Sequence, residues 1–303
     1  MNKINPIMMP PDDSSKGHIL VVGHVTHDIF KNRQQLGGAA AYAARAASAF
    51  GCRISLVTAS PESSLLKPLQ DDTHITLHRK KCHELTTFIL NHRNGCRELS
   101  LVSRAPDLTP EDIPEAARKI PLAYIAPVIG ECGRAIIESL DGMKIIIGAQ
   151  GWLRQTNGRG VIVPHLLPEA KTLPDAHVIV FSDQDFPNAE SIASRFSRSV
   201  EIVALTRGAK GVTLLSGGEK IELPAVQIRK EIDPTGAGDV FGVIFGIELH
   251  AGKDIVDAAR IAMWAAARVV EGPGMGSLSQ ALVSQHCNEL KNCYSPHRHD
   301  QRV

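Results

Sequence analysis

The chain has 303 residues, of which 43% are hydrophobic, 21% are charged and 4% are aromatic. This composition provides enough apolar side chains for a sizeable core and excludes a chain that is disordered throughout. There are 33 Lys and Arg residues against 32 Asp and Glu, and the formal net charge of +1 gives no reason to expect a nucleic-acid partner.

From the composition of the N-terminal segment we expect no secretion. Residues 1–17 are rich in Pro, Asp and Ser and lack a continuous apolar stretch, so we expect a flexible tail. Later apolar runs such as IIIGA and VIVF are far shorter than the ~20 residues of a membrane-spanning helix. The six cysteines form no C-x-x-C pair, which is typical of reduced thiols. We therefore predict a cytoplasmic protein that has no membrane partner.

Short apolar runs alternate with helical patterns along most of the chain. Residues 18–23 (HILVVG) predict a strand, and after a short loop residues 37–51 (GGAAAYAARAASAFG) predict a helix. Later strand-like runs are RISLVTA, AYIAPVI, KIIIGAQG, HVIVFS and EIVALT, with helical patterns such as CGRAIIESL and NAESIASRFSRS among them. This alternation predicts an α/β fold with a mostly parallel sheet covered on both faces.

One segment interrupts the alternation. Residues 75–104 show period-2 patterning around Asn94-Gly95, which predicts a β-hairpin in a small sheet that projects from the main one as a lid. Two long helical patterns follow at residues 235–252 and 254–272. We expect one main domain at 18–293 with the lid inserted, and a polar tail at 294–303.

The segment EIDPTGAGDVFGVIFG, residues 231–246, carries the strongest chemical signal. Gly236, Ala237 and Gly238 precede a helical pattern, and small residues at a helix N-terminus let backbone N–H groups approach an anion such as phosphate. Asp239 follows at once, where a carboxylate is suited to accept the proton of a hydroxyl that attacks a nucleotide's terminal phosphate. The alternative interpretation is a helix start that is capped for stability alone.

A second glycine-rich stretch supports the chemical interpretation. Gly37 and Gly38 also precede a helical pattern, and Asp28 follows the first predicted strand. Loops at the carboxyl ends of strands bind ligands in open α/β sheets, so we expect both glycine turns and both carboxylates to face one crevice.

These two segments resemble the signatures of a known family. DPTGAGDVF is similar to the C-terminal signature of the ribokinase-like, or PfkB, family of carbohydrate kinases, and GGAAAYAARAASAFG resembles its N-terminal signature. The resemblance extends over nearly the whole chain, from about residue 18 to about residue 290. It implies a three-layer α/β sandwich with a small β lid, and transfer of phosphate from ATP, with Mg²⁺, to a hydroxyl of a sugar, polyol or nucleoside.

The resemblance also implies roles for individual residues. It makes Asp239 the catalytic base and places the anion hole at Gly236, Ala237 and Gly238. The substrate contacts that it implies are Asp28, Gly37 and Gly38. The segment LTRGAKGV resembles the turn that holds nucleotide, so the implied nucleotide contacts are Thr206, Arg207 and Gly208.

The chain departs from the family pattern at two places. Tyr42 stands where many relatives carry an Asn that contacts the sugar. Ser182 and Asp185 take the place of an Asn-x-x-Glu motif that orders the metal, so we expect Asp185 to act on Mg²⁺ through water.

The short spacing between Asp28 and Gly37, together with the segments AQGWLR and GPGMGS, resembles the branch that contains myo-inositol kinases. The spacing implies a reduced lid. In this branch Gln150 and Arg154 would bind hydroxyls of the acceptor, and Trp152 would either cover the acceptor or pack in the core.

The sequence therefore predicts a carbohydrate kinase that acts on a sugar or polyol, with an inositol-like acceptor as the leading hypothesis. Two alternatives stay open: a nucleoside kinase of the same fold, and a weakly catalytic regulator that binds sugar or nucleotide. We expect a monomer or a homodimer whose partners are small molecules.

Overall fold

The computed structural model describes residues 17–93, 96–173 and 175–285, with the side chains of 91–93 and 96–97 left aside. The predicted tails, apart from residue 17, and the turn at Asn94 and Gly95 lie outside the described residues. Among the described residues, no helix combines the length and the apolar character needed to span a bilayer.

The described residues form fifteen strands and seven α-helices. The strands are β1 (His18–Val22), β2 (Thr26–Phe30), β3 (Arg33–Gly37), β4 (Arg53–Ser60), β5 (Ile75–Lys81), β6 (Thr86–Arg93), β7 (Cys96–Ser103), β8 (Leu122–Ile125), β9 (Lys144–Gly148), β10 (Arg154–Thr156), β11 (Ile162–Pro164), β12 (Val178–Ser182), β13 (Ile202–Thr206), β14 (Val212–Ser216) and β15 (Glu219–Leu223). The helices are α1 (Ala39–Ala49), α2 (Lys67–Gln70), α3 (Arg134–Glu138), α4 (Pro168–Lys171), α5 (Ala189–Phe196), α6 (Ala237–His250) and α7 (Ile255–Val270).

Nine strands form the central sheet in the order β15-β14-β13-β12-β9-β8-β1-β4-β5. The pairs from β13 to β5 are parallel, whereas β13–β14 and β14–β15 are antiparallel. The prediction of a mostly parallel α/β sheet is therefore confirmed. Because parallel strands need crossover connections, helices cover both faces of this sheet.

Alternation along β1 shows how the two faces are filled. Ile19 and Val21 pack into the core that contains α1, α6 and α7, whereas Leu20 and Val22 pack into the core that contains α3 and α5. Successive side chains of a strand point to opposite faces, so a fully apolar strand fits only between two helical layers. The result is the three-layer sandwich that the resemblance implied.

A second sheet of four strands, in the order β3-β2-β6-β7, forms the lid. The β6–β7 pair is the predicted antiparallel hairpin. The predicted lid range of 75–104 is wrong at its start, because β5 pairs in parallel with β4 at the edge of the central sheet. Its apolar residues Ile75 and Leu77 pack against the main core and hold it there.

The region between β1 and α1 also differs from the prediction of a simple loop. Residues 26–37 form an antiparallel hairpin, β2–β3, that supplies half of the lid sheet. Because this hairpin ends directly at α1, the lid carries Asp28 and leads into the glycine pair at Gly37 and Gly38.

Candidate active site

The side chains of Asp233 and Arg33 hold the turn that precedes α6. Gly236 caps the helix in the left-handed conformation (φ 80°), which favours glycine. Asp233 accepts a hydrogen bond from the N–H of Thr235 (3.0 Å), and a guanidinium nitrogen of Arg33 lies 2.8 Å from its other carboxylate oxygen. Gly238 is the second residue of α6, where a backbone N–H has no partner within the helix. The turn therefore presents N–H groups and the positive end of the helix dipole.

This turn borders a cleft of about 930 Å³ between the lid and the carboxyl ends of the central strands. Most residues that the sequence singled out line it. They are Asp28, Gly38, Gln150, Arg154, Asp185, Thr206, Gly208, Gly236, Ala237, Gly238 and Asp239. The structure thus brings both glycine turns and both carboxylates to one crevice.

Asp239 lies in the first turn of α6, half-buried in the lining of the cleft. Its removal from water raises the pKa of its carboxyl to about 7, and the negative charge of Asp185 adds to this rise. The positive charge of Arg154 opposes it. A carboxyl with a pKa near neutrality is suited to accept a proton from a weakly acidic hydroxyl.

Asp28 reaches the cleft from the lid hairpin. Its side chain is only 6% exposed, and the hydroxyl of Thr26 donates to its Oδ1 at 2.7 Å. A methyl group built on Gly37 would lie 2.5 Å from Cγ of Asp28, so the absence of a side chain at Gly37 lets the carboxylate take this position. Gly37 itself lies behind Asp28 and does not line the cleft, whereas Gly38 caps α1 and lines it.

Asp185 is fixed by two hydrogen bonds. Nε2 of Gln150 donates to its Oδ1 at 2.9 Å, and the backbone N–H of Ser182 donates to its Oδ2 at 2.7 Å. Burial raises the pKa of Asp185, while these hydrogen bonds and the charge of Arg154 oppose the rise. Arg154 is oriented by its own bond, from Nε to the carbonyl oxygen of Val128 at 2.7 Å.

Trp152 takes the core position rather than the pocket position. Its side chain is fully buried in the core on the α3 and α5 side, and its indole N–H donates to the carbonyl oxygen of Cys132 at 2.9 Å. The AQGWLR segment therefore sends Gln150 and Arg154 to the cleft and Trp152 away from it.

The Thr-Arg-Gly turn is divided in the same way. Thr206 and Gly208 line the cleft, and the Thr206 hydroxyl donates to the carbonyl oxygen of Phe181 at 3.3 Å. The guanidinium of Arg207 instead lies 2.9 Å from a carboxylate oxygen of Glu190, outside the lining. The structure therefore brings two of the three predicted nucleotide contacts to the cleft.

Sequence reasoning missed several side chains that line the cleft. Phe88 and Glu98 come from the two strands of the lid hairpin, whose period-2 pattern predicted the strands but not which face meets the cleft. Tyr124 lines the cleft from β8, and a methyl group on Gly242 would lie 2.7 Å from its hydroxyl oxygen. A glycine inside the helical pattern of α6 was a signal for this close approach.

Comparisons with known proteins find similarity to carbohydrate and nucleoside kinases. Residues 175–281 match the family model described as "pfkB family carbohydrate kinase". The inositol 3-kinase of Zea mays is 28% identical over 290 residues, which cover 84% of this chain and 73% of that protein. The cytidine kinase of Thermococcus kodakarensis is 25% identical over 286 residues, covering 86% of this chain and 99% of that protein.

Solved structures share the fold. A pyrophosphate-dependent myo-inositol-1 kinase converted into a myo-inositol-3 kinase superposes with a TM-score of 0.76 at 19% identity, covering 89% of this chain and 99% of that chain. The ribokinase of Arabidopsis thaliana, complexed with ribose and ATP, gives a TM-score of 0.70 at 18% identity, covering 91% and 99%. Residues 175–281 therefore match the PfkB family of carbohydrate kinases, and the long kinase relatives and the shared fold support the same conclusion, that this protein is a carbohydrate-kinase enzyme similar to that family.

Proposed function

We propose that this enzyme transfers the terminal phosphoryl group of ATP to a hydroxyl of a small polyol of the inositol class. The observation that carries this proposal is the position of Asp239, half-buried in the cleft in the first turn of α6, next to Gly238, whose backbone N–H has no partner within the helix. A proton acceptor beside an anion site is the arrangement that phosphoryl transfer to an alcohol requires.

In the proposed reaction, Asp239 accepts the proton of the acceptor hydroxyl. The hydroxyl oxygen forms a bond to the terminal phosphorus as the bond from phosphorus to the bridging oxygen breaks, and ADP leaves with that oxygen. The N–H of Gly238 and the dipole of α6 stabilise the negative charge on the transferring group.

An apolar part of the cleft, which we take as its donor end, supports ATP over a donor that has no nucleobase. Part of the lining of the cleft is apolar, as expected for a site that takes a flat heterocycle. These apolar residues come from β14, the segment after β15, and α7, and they are Val212, Ala225, Val226, Met263, Ala266 and Val270. Pyrophosphate would leave this apolar surface uncovered, although kinases that use pyrophosphate have the same fold.

The acceptor end supports a polyol over a nucleoside. Asp28, Gln150 and Arg154 bring carboxylate, amide and guanidinium groups to the cleft, and each of these can bind hydroxyls. The ring of Phe88, which a nucleobase would need for stacking, already has the Arg154 guanidinium 5.5 Å from its centroid.

The residues of the cleft fit Mg²⁺ bound through water. The described residues contain no group of three or more His, Cys, Asp and Glu that could enclose a metal, whereas Asp185 offers one oriented carboxylate. Mg²⁺ usually keeps several waters and binds one or two carboxylates together with substrate phosphates. Asp185 would hold it in this way, and the ion would neutralise phosphate charge.

An acceptor panel tests the proposal. Purified enzyme is given ATP or pyrophosphate with inositols, pentoses, hexoses or nucleosides, and acceptor-dependent release of ADP or phosphate is measured. We expect turnover with ATP and an inositol, and loss of that turnover in Asp239→Asn. Turnover with nucleosides alone, or with pyrophosphate alone, would contradict the proposed substrates, and binding without any turnover would favour a regulator.

A further inference from the structure

Tyr42 lies at the contact between the helix that follows the first glycine pair and the turn that follows the second. It belongs to α1, is 1% exposed, and packs its ring against the backbone of Gly236. A methyl group built on Gly236 would lie 2.5 Å from Cε1 of the ring and closer still to Cγ and Cδ1. The ring therefore occupies the space that any side chain at position 236 would need.

The hydroxyl of Tyr42 contributes no bond to this contact. Its oxygen is buried and has no hydrogen-bond partner among the described residues. Burial raises the pKa of the phenol above its ordinary value, and the negative charges of Asp233, Asp28 and Asp239 add to the rise, so the group stays neutral. A buried hydroxyl without a partner is a cost to stability, so the favourable part of the contact is the ring.

The turn has few other supports on this side. Thr235 is held by the Asp233 carboxylate, and the N–H of Ala237 reaches the carbonyl oxygen of Pro234 at 3.3 Å. The carbonyl oxygen of Gly236 accepts a hydrogen bond from the N–H of Val240 at 2.9 Å, which holds only the side of the glycine that faces α6. A glycine at positive φ has many accessible conformations, and packing against a rigid ring restricts them.

We propose that Tyr42 is a positioning residue for the phosphate-binding turn. Its ring holds Gly236 so that the N–H groups that follow stay oriented toward the phosphate. This inference rests on the proposed function only in taking the turn as the donor-phosphate site. In this proposal the ring of Tyr42 positions Gly236, and the hydroxyl takes no part. It also ties α1, whose first turn borders the acceptor end at Gly38, to the turn that binds the donor.

Three variants separate the ring from the hydroxyl. Tyr42→Leu removes the ring and should lower kcat by about tenfold to a hundredfold and raise the KM for the donor, because small misplacements of catalytic groups have effects of this size. Tyr42→Phe keeps the ring and should retain wild-type kinetics with equal or higher thermal stability. Tyr42→Met, which fills irregular space without a planar face, should behave like the leucine variant and serves if that variant does not fold.

A double-mutant cycle tests the contact directly. Gly236→Ala should impair donor binding by itself, both through the clash with the ring and through its positive φ. If the ring and residue 236 act on each other, adding Tyr42→Leu should make the alanine variant no worse or partly restore it. Additive effects of the two substitutions would overturn the proposal.

Donor binding is measured by calorimetry with ADP and with a non-hydrolysable ATP analogue, so the result does not depend on the identity of the acceptor. Weaker binding in the leucine or methionine variant with normal binding in the phenylalanine variant supports the ring. Unchanged binding in a folded Tyr42→Leu or Tyr42→Met, or equal loss in Tyr42→Phe, would overturn it. Failure of wild-type protein to bind either nucleotide would instead contradict the proposed function.

Discussion

Asp239→Asn should make the enzyme inactive and more stable at the same time. The substitution keeps the size of the side chain and removes a carboxyl that titrates near pH 7 in the folded protein. A buried acid with a raised pKa destabilises the fold whenever the solution is basic enough to remove its proton. We therefore expect catalytic function and stability to be opposed at this residue.

The size of the effect follows from the shift in pKa. The pKa of the carboxyl rises from 3.8 in the unfolded chain to about 7 in the folded protein, a difference of about 3 pH units. Each unit corresponds to about 1.36 kcal/mol, so the charged side chain lowers the free energy of unfolding by at most about 4 kcal/mol. The folded state binds more protons between these two values. The wild-type protein therefore loses stability as pH rises from about 4 to about 7, and the asparagine variant does not.

Chemical denaturation at several pH values measures this difference. The gain in the free energy of unfolding should be full near pH 8 and should vanish near pH 4, while loss of the general base should lower kcat by about 10²-fold to 10⁴-fold. Asp141→Asn, which changes an exposed acid outside the cleft, is the matched control and should alter neither property. Near-wild-type turnover in Asp239→Asn, or an unfolding free energy that does not rise at pH 8, would refute the reasoning.

The same site and its surroundings give three further predictions. Since the base must be deprotonated, kcat/KM of the wild-type enzyme should rise with pH and reach half its maximum near pH 7; a flat profile from pH 5.5 to 8 would exclude Asp239 as the base. Arg33→Ala breaks the 2.8 Å ion pair with Asp233 and should raise the KM values severalfold, with little change in Tm because Arg33 is 44% exposed. Steady-state kinetics with both substrates varied would measure this, and unchanged KM values would show that the ion pair does not position the turn. Trp152→Phe should lower the free energy of unfolding by about 1–3 kcal/mol by leaving the Cys132 carbonyl without its donor, as denaturation would measure, and an increased acceptor KM would place Trp152 in the pocket instead.

The sequence was most informative where function depends on local backbone geometry. The turn at Gly236 and the start of α6 could be predicted because small residues, a helix start and an acid follow one another within a few positions. The central strands could be predicted because a strand covered on both faces must be apolar along its whole length. These features need no knowledge of distant contacts.

Features that depend on distant packing were not accessible in this way. The β2–β3 hairpin contains polar residues such as Arg33, Gln34 and Gln35, and its strands are stabilised by pairing with β6, about sixty residues away. Trp152 and Arg154 are two residues apart in one segment, yet Trp152 packs in the core beside α3 and α5 whereas Arg154 lines the cleft. This difference depends on where the core lies, which the segment itself does not reveal. Arg207 likewise turns to Glu190 on α5, a partner that the Thr-Arg-Gly pattern does not reveal.

The charge balance of the cleft determines how a donor can be held there. Acids from every part of the lining face it, and Arg154 is the one Lys or Arg among its described lining residues. These acids are Asp28, Glu98, Asp185, Glu231 and Asp239. A polyphosphate that enters such a cleft is repelled unless its charge is neutralised, and the partial positive charge of one helix N-terminus offsets only a small part of it. Under the proposed function we therefore expect a phosphate donor to enter together with cations, and we expect the oriented carboxylate of Asp185, among the described lining residues, to share one with the donor phosphates.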